Sequence, residues 1–180
     1  MGEVELHRLE DVTGDTWEAL SRRRIFFAHQ SVGDNILDGV RDIVREYGNI
    51  DLKIADVHGR EAPPPAALFH ARVGQNGDPR SKLDGFRAAL DAGLGERLDV
   101  AGVKLCFADV NRDTDAGAVF DYYQQTLGEL EERYPQIAFI HFSAPIRSQP
   151  VGLKKQLKNF IKSRLGRPGV WEDNFKRQEY

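Results

Sequence analysis

The sequence predicts an α/β fold, a three-layer αβα sandwich built on a parallel sheet, and two observations carry that expectation. Short apolar runs alternate with apolar stripes at helical spacing, the pattern of a βαβ succession. The run at residues 100–110 (VAGVKLCFADV) is apolar on both alternating faces, as a strand buried on both sides must be. A chain of 180 residues suits one core, so a single domain over residues 1–180 is expected.

Taken in order, Ile25-Phe26-Phe27-Ala28 reads as the first strand. From Asp34 onward Ile36, Leu37, Val40, Ile43, Val44 and Tyr47 share one helical face, and Gly48-Asn49 stops it. Residues 50–57 alternate and form a second strand near an edge. Pro63-Pro64-Pro65 then supplies no backbone donors, which starts a loop running to Pro79 and carrying His70, Gly74, Asn76, Gly77 and Asp78. A loop that long in a compact domain is usually functional or disordered.

Ser81 with Asp84 resembles a capping box and opens a helix that buries Leu83, Phe86 and Leu90. The central strand at 100–110 follows and ends at residues 111–115. A helix with Val119, Tyr122, Tyr123, Leu127 and Leu130 inward closes at Tyr134-Pro135. A strand at 137–142 precedes a last helix marked by Leu153, Leu157, Phe160, Ile161 and Leu165, whose basic run Lys154, Lys155, Lys158, Lys162, Arg164 and Arg167 is its solvated side or, alternatively, a face for an anionic partner.

Composition narrows the function classes. With 41% hydrophobic and 29% charged residues the chain is ordinary globular protein. A net charge of -3 gives no positive field for a polyphosphate, so no nucleic-acid partner is expected. One cysteine, Cys106, excludes an internal disulfide scaffold. No apolar stretch suits a membrane span and the amino terminus has no signal-peptide pattern, so no membrane partner and a cytoplasmic location are expected. Five histidines without paired ligand spacing suggest no metal, and no cofactor is expected.

In a parallel sheet ligands bind beyond the carboxyl ends of the strands. Ser31 stands there, between the first strand and its helix, where the helix end favours developing negative charge. Its blander reading is a helix cap. Gly74 and Asn76 offer an uncrowded amide and a side-chain amide, the donors an oxyanion hole needs, or simply a turn. Asn111, after the central strand, adds another amide at the same rim. His29, two residues before Ser31, is a substitute base or a structural histidine bonded to a carbonyl, and His70 is the loop alternative.

The blocks FFAHQSVGDNILDG, VGQNGDP, KLCFADVNRDTD and FIHFSAPIRS resemble, in this order, the SGNH/GDSL hydrolases, notably bacterial members with an HQSVG-type first block in place of Gly-Asp-Ser. The resemblance implies Ser31 as nucleophile with its own amide as an oxyanion donor, Gly74 as a second donor, and Asn111 or Asn76 as the oxyanion asparagine. It implies a serine esterase acting on O-acyl esters of a carbohydrate or small metabolite. The family's Asp-x-x-His block is missing: no histidine follows His141, and residues 171–180 look like the opening of further structure. The domain is therefore expected to be incomplete at its carboxyl end, with an apolar sheet edge open to oligomerisation, or else to have lost its base. A non-catalytic binding module is the alternative. A flavodoxin-like domain with phosphate on residues 30–35 is another.

Overall fold

The computed structural model describes residues 9–57, 66–146 and 170–179. It contains α1 (Gly14–Ser21), β1 (Arg24–His29), α2 (Ser31–Glu46), β2 (Ile54–Asp56), β3 (Ala67–Arg72), α3 (Pro79–Ala89), β4 (Val100–Val103), α4 (Ala116–Arg133), β5 (Ala138–Ile140) and α5 (Val170–Glu179). The five strands form one parallel sheet in the order β2-β3-β1-β4-β5. The α/β class read from the alternation is thus the observed one.

Apolar side chains leave the sheet on both sides because successive residues point to opposite faces. Phe26, Phe69, Ala101 and Val103 pack against Leu83 and Phe86 of α3 and Leu127 of α4, forming the principal core. The Phe26 and Phe86 rings stack at 6.0 Å. Phe27, Leu68 and Val100 point the other way, where α2 covers them with Ile36, Leu37 and Val40 around a cavity of about 160 Å³. At the amino edge the Arg24 guanidinium holds the Asp99 carboxylate at 2.8 Å, fixing the start of β1 against the start of β4.

Several elements differ from the sequence reading. The loop expected as far as Pro79 contains β3, which sits inside the sheet with Phe26 opposite Phe69 and Phe27 opposite His70. The prolines before it and Gly74 after it disguised a strand whose Ala67, Phe69 and His70 are buried. The helix after β1 begins at Ser31, three residues before the expected Asp34. Asp78 caps α3 in place of Ser81: its carboxylate accepts from the Ser81 amide at 3.0 Å, and Pro79 fills the first turn, where a missing N–H costs nothing.

The strand expected to be central over residues 100–110 is β4, next to the outermost strand, with β1 in the middle, and it stops at Val103 because Asp109 turns the chain back. Its carboxylate accepts from the Cys106 amide at 2.6 Å and its own amide donates to Cys106 O at 3.0 Å. Helix α1, capped by Thr13, had no counterpart in the sequence reading. The expected helix marked by Leu153 to Leu165, with its lysine face, lies outside the described residues, as do His58, the three prolines and Arg147. Strand β5 is outermost in the sheet, and Ile140 on it is 46% exposed.

Candidate active site

The carboxyl edge of β1 delivers the chain into α2 through one extended residue, Gln30, at φ -133° and ψ -164°. Gln30 occupies the N-cap position but its side chain makes no cap bond. Its amide instead donates to Val73 O at 3.2 Å and Gly74 O at 2.8 Å, tying the β1–α2 corner to the loop after β3. Ser31 is therefore the first helical residue and not the cap. It is exposed, and its hydroxyl makes no hydrogen bond among the described residues. Its own N–H is one of the helix-end donors that geometry leaves without an intrahelical acceptor.

His29 lies directly beneath this corner and is fully buried. Its Nδ1 is 2.9 Å from Gln30 O and its Nε2 is 3.2 Å from His70 Nδ1. A carbonyl can only accept, so Nδ1 of His29 carries the proton; Nε2 then accepts, and His70 must donate from Nδ1. That assignment leaves His70 Nε2 a bare lone pair in the interior, and it is a buried atom with no partner. Burial pushes the His70 pKa below the ordinary histidine value. Asp56, its register partner on β2, opposes the shift, while His29 and Arg41 reinforce it.

The pair matches one of the two readings of His29, the structural histidine bonded to a backbone carbonyl, and corrects the placement of His70. Neither ring nitrogen of His29 is available to Ser31, so His29 does not stand in for a missing base. His70 is a strand residue in the core, not a loop residue. Gly33 is what lets α2 settle on His29, since a Cβ there would fall 2.3 Å from the imidazole.

Gly74 adopts φ +61°, and a Cβ on it would meet the Lys82 amide nitrogen at 2.4 Å, so only glycine lets this loop lie against the start of α3. Its amide makes no hydrogen bond among the described residues. Asn76 is exposed, and its Oδ1 accepts from Lys82 Nζ at 3.1 Å. Lys82 in turn meets Asp109 at 2.5 Å, with both side chains fully buried. Asp109 also accepts from the Gly77 amide at 2.9 Å. One carboxylate thus joins the loop after β3 to the loop after β4.

Asn111 accepts the Asp113 amide at Oδ1, 2.9 Å away, and its backbone N–H donates to Thr114 Oγ1 at 3.0 Å. Its side-chain NH₂ has no partner among the described residues, but no hydrogen bond joins it to the Ser31 corner. The structure therefore ties the residue before Ser31 to Gly74 through the Gln30 side chain, turns Asn76 onto Lys82, and leaves Asn111 with an amide already oriented by its carbonyl end.

The remaining described histidine makes its hydrogen bond elsewhere. His141 follows β5 and meets the Tyr123 hydroxyl at 2.9 Å beside a cavity of about 500 Å³ against α4. Burial pushes the Tyr123 phenol up to about 12, Glu131 adding to the effect and a backbone bond from Phe142 opposing it.

Three site residues escaped the sequence reading. Gln30 carried no signal, because its role depends on a strand that was read as loop. Lys82 sits on the same face as Leu83 and Phe86, and a lysine on that stripe was legible as a buried cation. Lys104 similarly interrupts an apolar strand segment.

Comparison of the chain with protein-family models, with curated proteins and with solved structures finds no match. Fold and site together define an α/β protein with its donor-rich corner at the carboxyl edge of β1, the middle strand of the five.

Proposed function

We propose that the chain is a serine ester hydrolase of the SGNH type, in which Ser31 attacks the carbonyl of an O-acyl ester on a carbohydrate or small metabolite and forms an acyl-enzyme. The observation that supports this reading is the exposed hydroxyl of Ser31 at the first position of α2, without a hydrogen bond among the described residues, next to Gln30, whose side chain reaches the carbonyl of Gly74. Attack converts the carbonyl oxygen to an oxyanion, and the Ser31 and Gly74 amides are the donors available to it; each such donor contributes about 3–4 kcal/mol to lowering the barrier. Asn111 is the side-chain donor of the same hole.

Exposure of the full chain to a fluorophosphonate probe tests the reading. Covalent labelling is expected, with the adduct mapping to Ser31 and absent from Ser31→Ala. An unlabelled wild-type protein would remove the hydrolase.

A second reading, a binding module that keeps the corner without catalysis, is favoured by one specific observation. His29 and His70 occupy each other and His141 faces Tyr123, so among the described residues no imidazole serves Ser31. That reading predicts binding of an acylated ligand without turnover.

A further inference from the structure

Lys104 is a buried cation at the carboxyl end of β4. It is the first residue after β4, its side chain is only 8% exposed, and no carboxylate lies within ion-pair reach among the described residues. Its Nζ donates to Ser143 O at 2.6 Å and lies 5.6 Å from the centre of the Phe142 ring. An unpaired ammonium is costly to bury, and a lysine in such a place is held toward its neutral form. Burial lowers its pKa, opposed only by the Cys106 thiol two residues on.

Its placement relates it to Ser31. The Lys104 amide donates to Ala28 O at 2.8 Å, and Ala28 pairs with Val103, so Lys104 stands beside His29 in register. Side chains alternate along a strand, which puts Lys104 on the face of Phe27 and His29; α2 covers Phe27 on that face with Ile36, Leu37 and Val40, and Ser31 opens the same helix. Among the described residues no carboxylate pairs with it: β1 contributes Phe27 and His29, the segment after β5 contributes Phe142 and Ser143, and Asp34 of α2 is engaged by Arg72 at 2.6 Å and lies 3.8 Å from His29 Nδ1.

We propose that Lys104 is the general base for Ser31, so that the site works as a serine–lysine pair without a histidine. The inference rests on the esterase reading. The neutral amine keeps one N–H on Ser143 O and turns its lone pair to the hydroxyl on its flexible four-carbon stem. As Oγ bonds to the acyl carbon, its proton passes to Nζ. The resulting ammonium returns that proton to the alcohol oxygen as the ester C–O bond breaks, leaving acyl-Ser31. Water then gives a proton to Nζ while its oxygen bonds to the acyl carbon, and Oγ recovers a proton as the acid departs.

The test compares the rate of fluorophosphonate labelling of Ser31 across pH in the full chain, its Lys104→Met variant and its Lys104→Arg variant. The wild-type rate is expected to rise with pH through an inflection below the ordinary lysine value of 10.5. Both variants should lose at least about 100-fold and the inflection with it, methionine because it has no base and arginine because it cannot be deprotonated. Variant rates within about threefold of wild type, with the same pH profile, would overturn the Lys104 assignment and leave Ser31 standing. Absence of Ser31 labelling in the wild type overturns both. Should the variants not fold, titration of the Lys104 side chain by ¹⁵N NMR in the Ser31→Ala protein decides it: a pKa at or above 10.5 sinks the proposal.

Discussion

The bare Nε2 of His70 makes folding sensitive to acid. Its folded-state pKa is lowered, so between that value and the unfolded value of about 6.5 the unfolded chain binds the extra proton and the folded chain does not. The sign follows: stability is fully present above about pH 6.5 and falls as pH drops through that value toward the folded pKa, by at most about 1.4 kcal/mol per pH unit for one proton. Urea unfolding at a series of pH values should show this slope, and His70→Leu should flatten it. A wild-type midpoint unchanged between neutral and mildly acidic pH would contradict the tautomer deduced from the Gln30 carbonyl.

Helix α2 tests how closely an element is fitted to its seat. Gly33 and Gly39 lie on the same helix, but a Cβ at 33 strikes the His29 ring whereas a Cβ at 39 meets nothing within 4 Å. Gly33→Ala is expected to destabilise by about 1–3 kcal/mol through overpacking. Gly39→Ala is expected to stabilise by about 0.5–1 kcal/mol through helix propensity. Thermal or urea unfolding of the two variants reads the difference directly.

The same helix shows what was legible beforehand. Its apolar stripe at Ile36, Leu37 and Val40 followed from periodicity, but its start did not, because Gln30 caps with its backbone and sends its side chain elsewhere. Strand β3 was hidden by the prolines before it and by His70, a polar residue made tolerable inside the sheet by a partner forty-one positions away. Ser31 and Gly74 could be proposed from their places in the sequence. Lys82, Asp109 and Gln30 could not be assembled, since each bond they make crosses between loops.

Long-range polar contacts hold those loops as one rim. Asp109 is the hub, taking Lys82, the Gly77 amide and the Cys106 amide, while the Arg177 guanidinium of α5 donates to Phe107 O at 2.9 Å and Asp173 accepts from the Arg112 amide at 3.1 Å. Replacing Asp109 by Asn keeps the shape and leaves the Lys82 ammonium buried without its counter-charge. A loss of about 3–5 kcal/mol in urea unfolding is expected. A loss under about 1 kcal/mol would mean that water reaches Lys82 and that the pair is not the fastening described.

The Gln30 amide has a wider implication. Backbone bonding between the first strand and this loop ends with the Val73 N–H on His29 O, and past that point a single replaceable side chain spans from the corner to Gly74. A side chain at position 30 too short to reach the Val73 and Gly74 carbonyls would release that loop while the strands below kept their register, so the mouth of the corner can be reshaped without any change to the sheet.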